Sequence, residues 1–197
     1  MSAAASFDAL RLCAEISAAS GAGAAAVEIH TFAYFGCLLS VYEDRPPAEW
    51  GYGFRVTPAG APYSDELDSA LKTLRAGGMI VNYGHAFDLS SPGRADLELL
   101  CTHATNRARL RYLSSAAGTA LLMPLPAVTS ALSREPQLQE FLGAPTSRDL
   151  LDEVGVDAVK AHFEVITRVL ADRDLGDDLT VPASLWLTAL AEQASDG

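Results

Sequence analysis

Positive charge is scarce in this chain: 14 lysines and arginines stand against 25 aspartates and glutamates in 197 residues, a net charge of −11. Phosphate recognition needs clustered cations, because neutralising phosphates and releasing their counterions supplies most of the affinity. Arg107, Arg109 and Arg111, with Arg94 and Arg75 nearby, form the one local basic patch, and Arg94, Arg107, Arg109 and Arg111 are the candidate nucleic-acid contacts. Direct nucleic-acid binding by this chain alone is disfavoured. Cysteine is equally sparse. Cys13, Cys37 and Cys101 are odd in number, widely spaced and without a CxxC, which argues for buried free thiols, against a disulfide framework or thiolate metal site, and for a reducing cytoplasm. The longest apolar run, near Leu121 to Val128, is cut by Pro124 and Pro126 and falls far short of a bilayer span. The first residues carry Asp8 and Glu15 and no basic n-region, so they do not read as a signal peptide.

Catalytic patterns are missing too. His30, His85, His103 and His162 form no HxxxH or HExxH pair, no glycine loop ends in GK[ST], and there is no GxSxG. His30 lies in a very apolar helix and reads as a core or interface histidine; His85, in a tight turn, reads as solvated. Asp172, Asp174, Asp177 and Asp178 lack the spacing and terminal Glu of a calcium loop and read as a solvated acidic linker. The expectation is a chain that is not an enzyme and uses no metal and no cofactor.

The charge is uneven. From Glu135 onward 13 acids face only Arg148, Lys160, Arg168 and Arg173, a balance of −9, whereas the first 134 residues stand at −2. Apolar spacing predicts helices over 6–19 and 24–42, the second apolar nearly all round and ended by Pro46 and Pro47. Alternation of Trp50, Tyr52, Phe54 and Val56 predicts a half-buried strand over 49–56. Ser64 then caps a helix with the stripe Leu67, Ala70, Leu71 and Leu74, stopped by Gly77 and Gly78 and followed by a hairpin of 79–83 and 86–89. Ser91 and Pro92 open a helix expected to run through Leu113, and 114–126 resists assignment. Further helices are expected at 127–133, 136–142, 148–154, 156–170 and 182–193, with a capping-box-like start at Thr146 and a fraying tail. The fold class expected is α+β, mostly α: a winged-helix-like module over 1–90, then an acidic helical domain over 91–197.

Trp50, Tyr52, Phe54 and Tyr63 are the candidate partner-binding residues, since aromatic side chains dominate interface hot spots. Packing of the same rings against the second helix is the alternative.

The run PYSDEL, then LxxL, then GGMI, carried by Pro62, Tyr63, Ser64, Glu66, Leu67, Leu71, Leu74, Gly78, Met79 and Ile80, resembles an element of small winged-helix-like proteins of bacterial conflict systems. These are the Panacea (SocA-like) antitoxin domain and the middle subunit of ABC-ATPase three-component, Lamassu-type defence systems. The resemblance covers about residues 24–89; it departs at Ala61, where glycine is usual, and in the long region after Ser91, which favours the three-component subunit. It implies a non-catalytic cytoplasmic adaptor in anti-phage defence, with protein partners: a coiled-coil ABC or SMC-like ATPase and an effector nuclease or toxin. An antitoxin restraining one toxin and a winged-helix transcription regulator are the alternatives; no membrane association is expected.

Overall fold

A computed structural model describes residues 2–140, 148–171 and 178–192. Helix α1 (Ala3–Ser20) begins where the Ser2 hydroxyl accepts the Ala5 N–H and ends at Gly21, whose φ of +67° suits a residue without a side chain. The two-residue strand β1 (Ala24–Ala25) leads into α2 (Ala26–Tyr42), where the Glu28 carboxylate accepts the Ala25 N–H at 2.8 Å. Every residue of α2 from Ile29 to Val41 is buried, as a helix apolar on all sides requires. It is the axis about which the rest is arranged.

Beyond α2 the chain departs from the expected strand. Pro47 opens a 3-10 turn over Pro47–Trp50, and Gly51, at φ +86°, closes it. Only β2 (Phe54–Val56) is extended, pairing antiparallel with β3 (Pro62–Tyr63). Proline at the first position of a helical turn and a left-handed glycine at its end outweigh the period-two pattern of the aromatics. Helix α3 (Asp65–Ala76) follows the sequence closely: Ser64 accepts the Leu67 N–H, and Leu67, Ala70, Leu71 and Leu74 are buried. The hairpin of β4 (Ile80–Tyr83) and β5 (Ala86–Leu89) turns at Gly84, and β1 adds to its β5 edge, giving the antiparallel order β1-β5-β4.

Two helices replace the single one expected after Ser91. Helix α4 (Ser91–Cys101) ends at Thr102, and α5 (Ala104–Leu122) restarts after an extended His103; the Asn106 amide donates to the Leu100 carbonyl at 2.9 Å and satisfies the broken end. The unassigned stretch is the second half of α5, and Pro126 falls in the first turn of α6 (Leu125–Leu132), where a missing N–H costs nothing. Helix α7 (Pro136–Glu140) follows. The helix expected over 148–154 is instead a strand, β6 (Arg148–Leu150), which pairs antiparallel with β2 to complete a second sheet, β3-β2-β6. Asp152 then caps α8 (Glu153–Leu170), and α9 (Thr180–Glu192) closes the described chain. Thr146, the acidic residues 172–177 and the tail 193–197 lie outside the described residues.

The fold is α+β and mostly helical. A division at residue 90 corresponds to no break in it: α5 lies against both α1 and α2, β6 joins β2, and a single hydrophobic core includes Leu12, Phe35, Trp50, Leu113, Phe163 and Trp186. Among the described residues no helix is long and apolar enough to cross a membrane.

Candidate functional site

Burial decides the role of the aromatic quartet. Trp50, Tyr52 and Phe54 are only 3%, 8% and 4% exposed, so they are core residues of this chain and not anchors for a partner. Phe54 packs edge-on against Tyr34 of α2 at 5.4 Å, and the Trp50 ring lies so close to Gly36 that a Cβ there would meet it at 3.2 Å. The physical reason is that helices α1, α2 and α5 of the same chain cover the face these rings share. Tyr63 is half-buried; it stacks on His30 at 4.6 Å, with the Arg55 guanidinium 5.1 Å from its ring centre.

What the rings enclose is a charge. Asp8 of α1 is fully buried, and Arg109 of α5 grips it with two hydrogen bonds, Nε to Oδ1 at 2.5 Å and Nη2 to Oδ2 at 2.7 Å. The Tyr52 hydroxyl donates to the same Oδ2 at 2.5 Å, and the guanidinium lies 3.8 Å from the Trp50 ring centre. Burial pushes the Asp8 carboxyl above its ordinary value, while the charge and hydrogen bonds of Arg109 and the Tyr52 hydroxyl pull it back. Three elements distant in sequence are thereby tied at one point. The signal for it is in the sequence: Asp8 stands in register with Ala5, Ala9 and Leu12 on the buried stripe of α1, where an acid requires a partner.

The basic patch does not form. Alternate residues of a helix point about 200° apart, so Arg109 faces away from Arg107 and Arg111. Arg111 bonds Glu43, which also accepts the Tyr112 hydroxyl at 2.7 Å. Arg94 and Arg107 are exposed and Arg109 is turned inward. An open cleft of about 430 Å³ runs beside Arg109, lined by Phe7, Trp50, Leu100, His103 and Asn106 among others. The guanidinium at its wall already has its countercharge in Asp8.

The remaining polar candidates hold structure. His30 accepts the Ser64 N–H on Nδ1 at 3.2 Å, and burial lowers its pKa to about 4, so a neutral imidazole braces the start of α3. Burial pushes the Cys13 and Cys37 thiols up to about 12, far from the reactive thiolate. His85 is exposed at the hairpin turn, and Asp178 accepts the Thr180 N–H at the start of α9. Among the described residues no group of three or more His, Cys, Asp or Glu side chains could share a metal ion.

Glu135 was not singled out by sequence. It is fully buried, and its Oε2 accepts the Tyr34 hydroxyl at 3.1 Å and the Leu138 N–H at 3.0 Å. Burial raises its pKa above the ordinary 4.5, partly offset by these bonds and those from Gln137. A carboxyl raised on folding contributes stability below its unfolded value and loses it as pH rises through the folded one. Wild-type protein is therefore expected to lose stability relative to Glu135→Gln as pH is raised from about 4.5 toward neutral, which urea melts across that range will measure.

Sequence reasoning also passed over Tyr83, which is 71% exposed at the end of β4. The strand register aligns Tyr83 with Ala86 and Ala86 with Ala25, and Val27, 53% exposed, follows two residues later. Comparison of the chain with family models, with curated proteins and with solved structures returned no match.

Proposed function

We propose that this chain is a non-catalytic adaptor of a bacterial anti-phage defence complex, acting in the cytoplasm between a coiled-coil ABC or SMC-like ATPase and an effector nuclease or toxin. The observation that carries the reading is the exposed end of the β1-β5-β4 sheet, where Tyr83 at the end of β4 and Val27, in the first turn of α2 just beyond β1, stand in solvent. A rigid, exposed tyrosine is the kind of side chain that anchors protein interfaces at low entropic cost. The order helix α3, hairpin, and returning β1 edge supports a winged-helix-like module. The acidic start of α3 favours a protein partner over DNA: Asp65 and Glu66 are exposed there, Lys72 is paired with Asp68 at 2.6 Å and Arg55 with Asp65 at 2.8 Å.

The test is co-expression with the ATPase and effector that this reading expects to be encoded beside it. All three are expected to co-purify, and Tyr83→Asp is expected to weaken capture about thirtyfold while leaving the melting temperature unchanged, the size of one interface hot spot of roughly 2 kcal/mol. A fully active stand-alone protein from a locus lacking both neighbours would refute the adaptor. Neutralisation of a single toxic neighbour, with no ATPase bound, would establish the antitoxin reading in its place.

A further inference from the structure

Helix α8 carries two apolar stripes. One, through Val159, Phe163, Ile166 and Leu170, is buried in the core. The other faces solvent: Val154 is 77% exposed, Val165 52% and Val169 65%, with Ala158 and Ala161 between them. At 100° per residue these five positions fall within about 80° of one another, a seam along a helix of about 27 Å. Their order is nearly the same in both directions. Reversal about the point between Ala161 and His162 exchanges Val154 with Val169 and Ala158 with Val165.

The charges repeat the symmetry. Exposed Asp157 and Arg168 lie on the same edge of the seam, on opposite sides of its midpoint. In a two-fold antiparallel pair of helices an edge faces the same edge of its copy, so the aspartate of one copy comes within about 3 Å along the axis of the arginine of the other, near enough for the two side chains to pair. Within one chain the two are eleven residues apart, about 16 Å along the axis, too far to pair. Ala158 and Ala161 keep the middle of the seam narrow, which lets two backbones approach closely.

We infer that α8 pairs antiparallel with α8 of a second copy of this chain, Val154 packing on Val169 and Asp157 meeting Arg168 across the two-fold axis. This stands apart from the adaptor reading, because it uses a different face. Two helices of this length bury less than the roughly 800 Å² per partner of a standard interface. The net charge of −11 also opposes association. The dimer is therefore weak, with a Kd on the order of 10 μM.

Sedimentation equilibrium of the full chain, from roughly 1 to 300 μM at about 0.15 M salt, reads this directly. Wild type is expected to pass from monomer to dimer. Val165→Glu, at a half-exposed position, is expected to weaken association at least tenfold with unchanged thermal unfolding. Asp157→Arg and Arg168→Asp are each expected to weaken it several-fold, and the double variant to restore it, because only an intermolecular pair is re-formed by the exchange. A wild-type chain monomeric throughout would overturn the inference, as would a dimer that survives Val165→Glu or a double variant no better than the singles. Tyr83→Asp should leave this dimer intact, so the two proposals fail separately.

Discussion

Arg109→Met is expected to lower the unfolding free energy by about 3–5 kcal/mol, the cost of breaking a buried ion pair by removing one partner. Asp8 has no solvent to fall back on, and without Arg109 the Tyr52 hydroxyl alone remains to satisfy its carboxyl. The acid must then protonate. Its pKa rises further above the ordinary 3.8, so the deficit should be largest near neutral pH and shrink as pH falls through the variant's raised pKa toward that of the wild type. Removing charge and hydroxyl together, as Asp8→Leu, Tyr52→Phe and Arg109→Met in one chain, should recover much of the loss, since a buried pair replaced by apolar groups leaves nothing unsatisfied. Urea melts of the four proteins measure all of this. If the single variant costs no more than the exposed control Arg107→Met, the buried pair is not the tie the geometry describes.

The parts of the fold legible in the sequence are those decided by near neighbours. Helix α3 was readable because its cap, apolar stripe and glycine stop lie within fifteen residues, and Ser64, Leu67 and Leu74 do what local chemistry demands. The hairpin was readable for the same reason. Strand β6 was not: Asp149 and Leu150 suit a helix as well as a strand, and only pairing of Leu150 with Phe54, far away along the chain, decides between them. The Trp50–Val56 segment failed differently. Its alternation was real, yet Pro47 and Gly51 fixed backbone angles that no strand accommodates at that point.

The candidate site shows the limit more sharply. Residue type drew attention to Trp50, Tyr52 and Phe54, but period two says only that one face is buried, not whether this chain or a partner buries it, and here α1, α2 and α5 do. The basic run failed on geometry, since three arginines at spacing two cannot share a helix face. Asp8 and Tyr83 were legible only as exceptions: an acid on an apolar stripe and a large aromatic beside a turn. Such exceptions mark where tertiary structure or a partner has the deciding role.

Trp186→Ala is expected to cost about 3–5 kcal/mol, as for other buried aromatics reduced to alanine. Trp186 is 1% exposed and joins three helices, its ring centre 5.7 Å from that of Phe35 on α2 and 5.0 Å from that of Phe163 on α8. The substitution has a second use, because the chain holds two tryptophans and Trp50 is the other. In the variant, tryptophan fluorescence reports the packing around Asp8 and Arg109 alone, while far-ultraviolet circular dichroism reports every helix. If one core runs from α1 to α9, both signals should fall in a single transition, its midpoint lowered by roughly 10 °C at 2–4 °C per kcal/mol. A Trp50 signal that kept the wild-type midpoint while helix content was lost earlier would instead show residues 1–90 folding on their own. The contacts of α5 with α1 and α2, and of β6 with β2, argue for the coincident result.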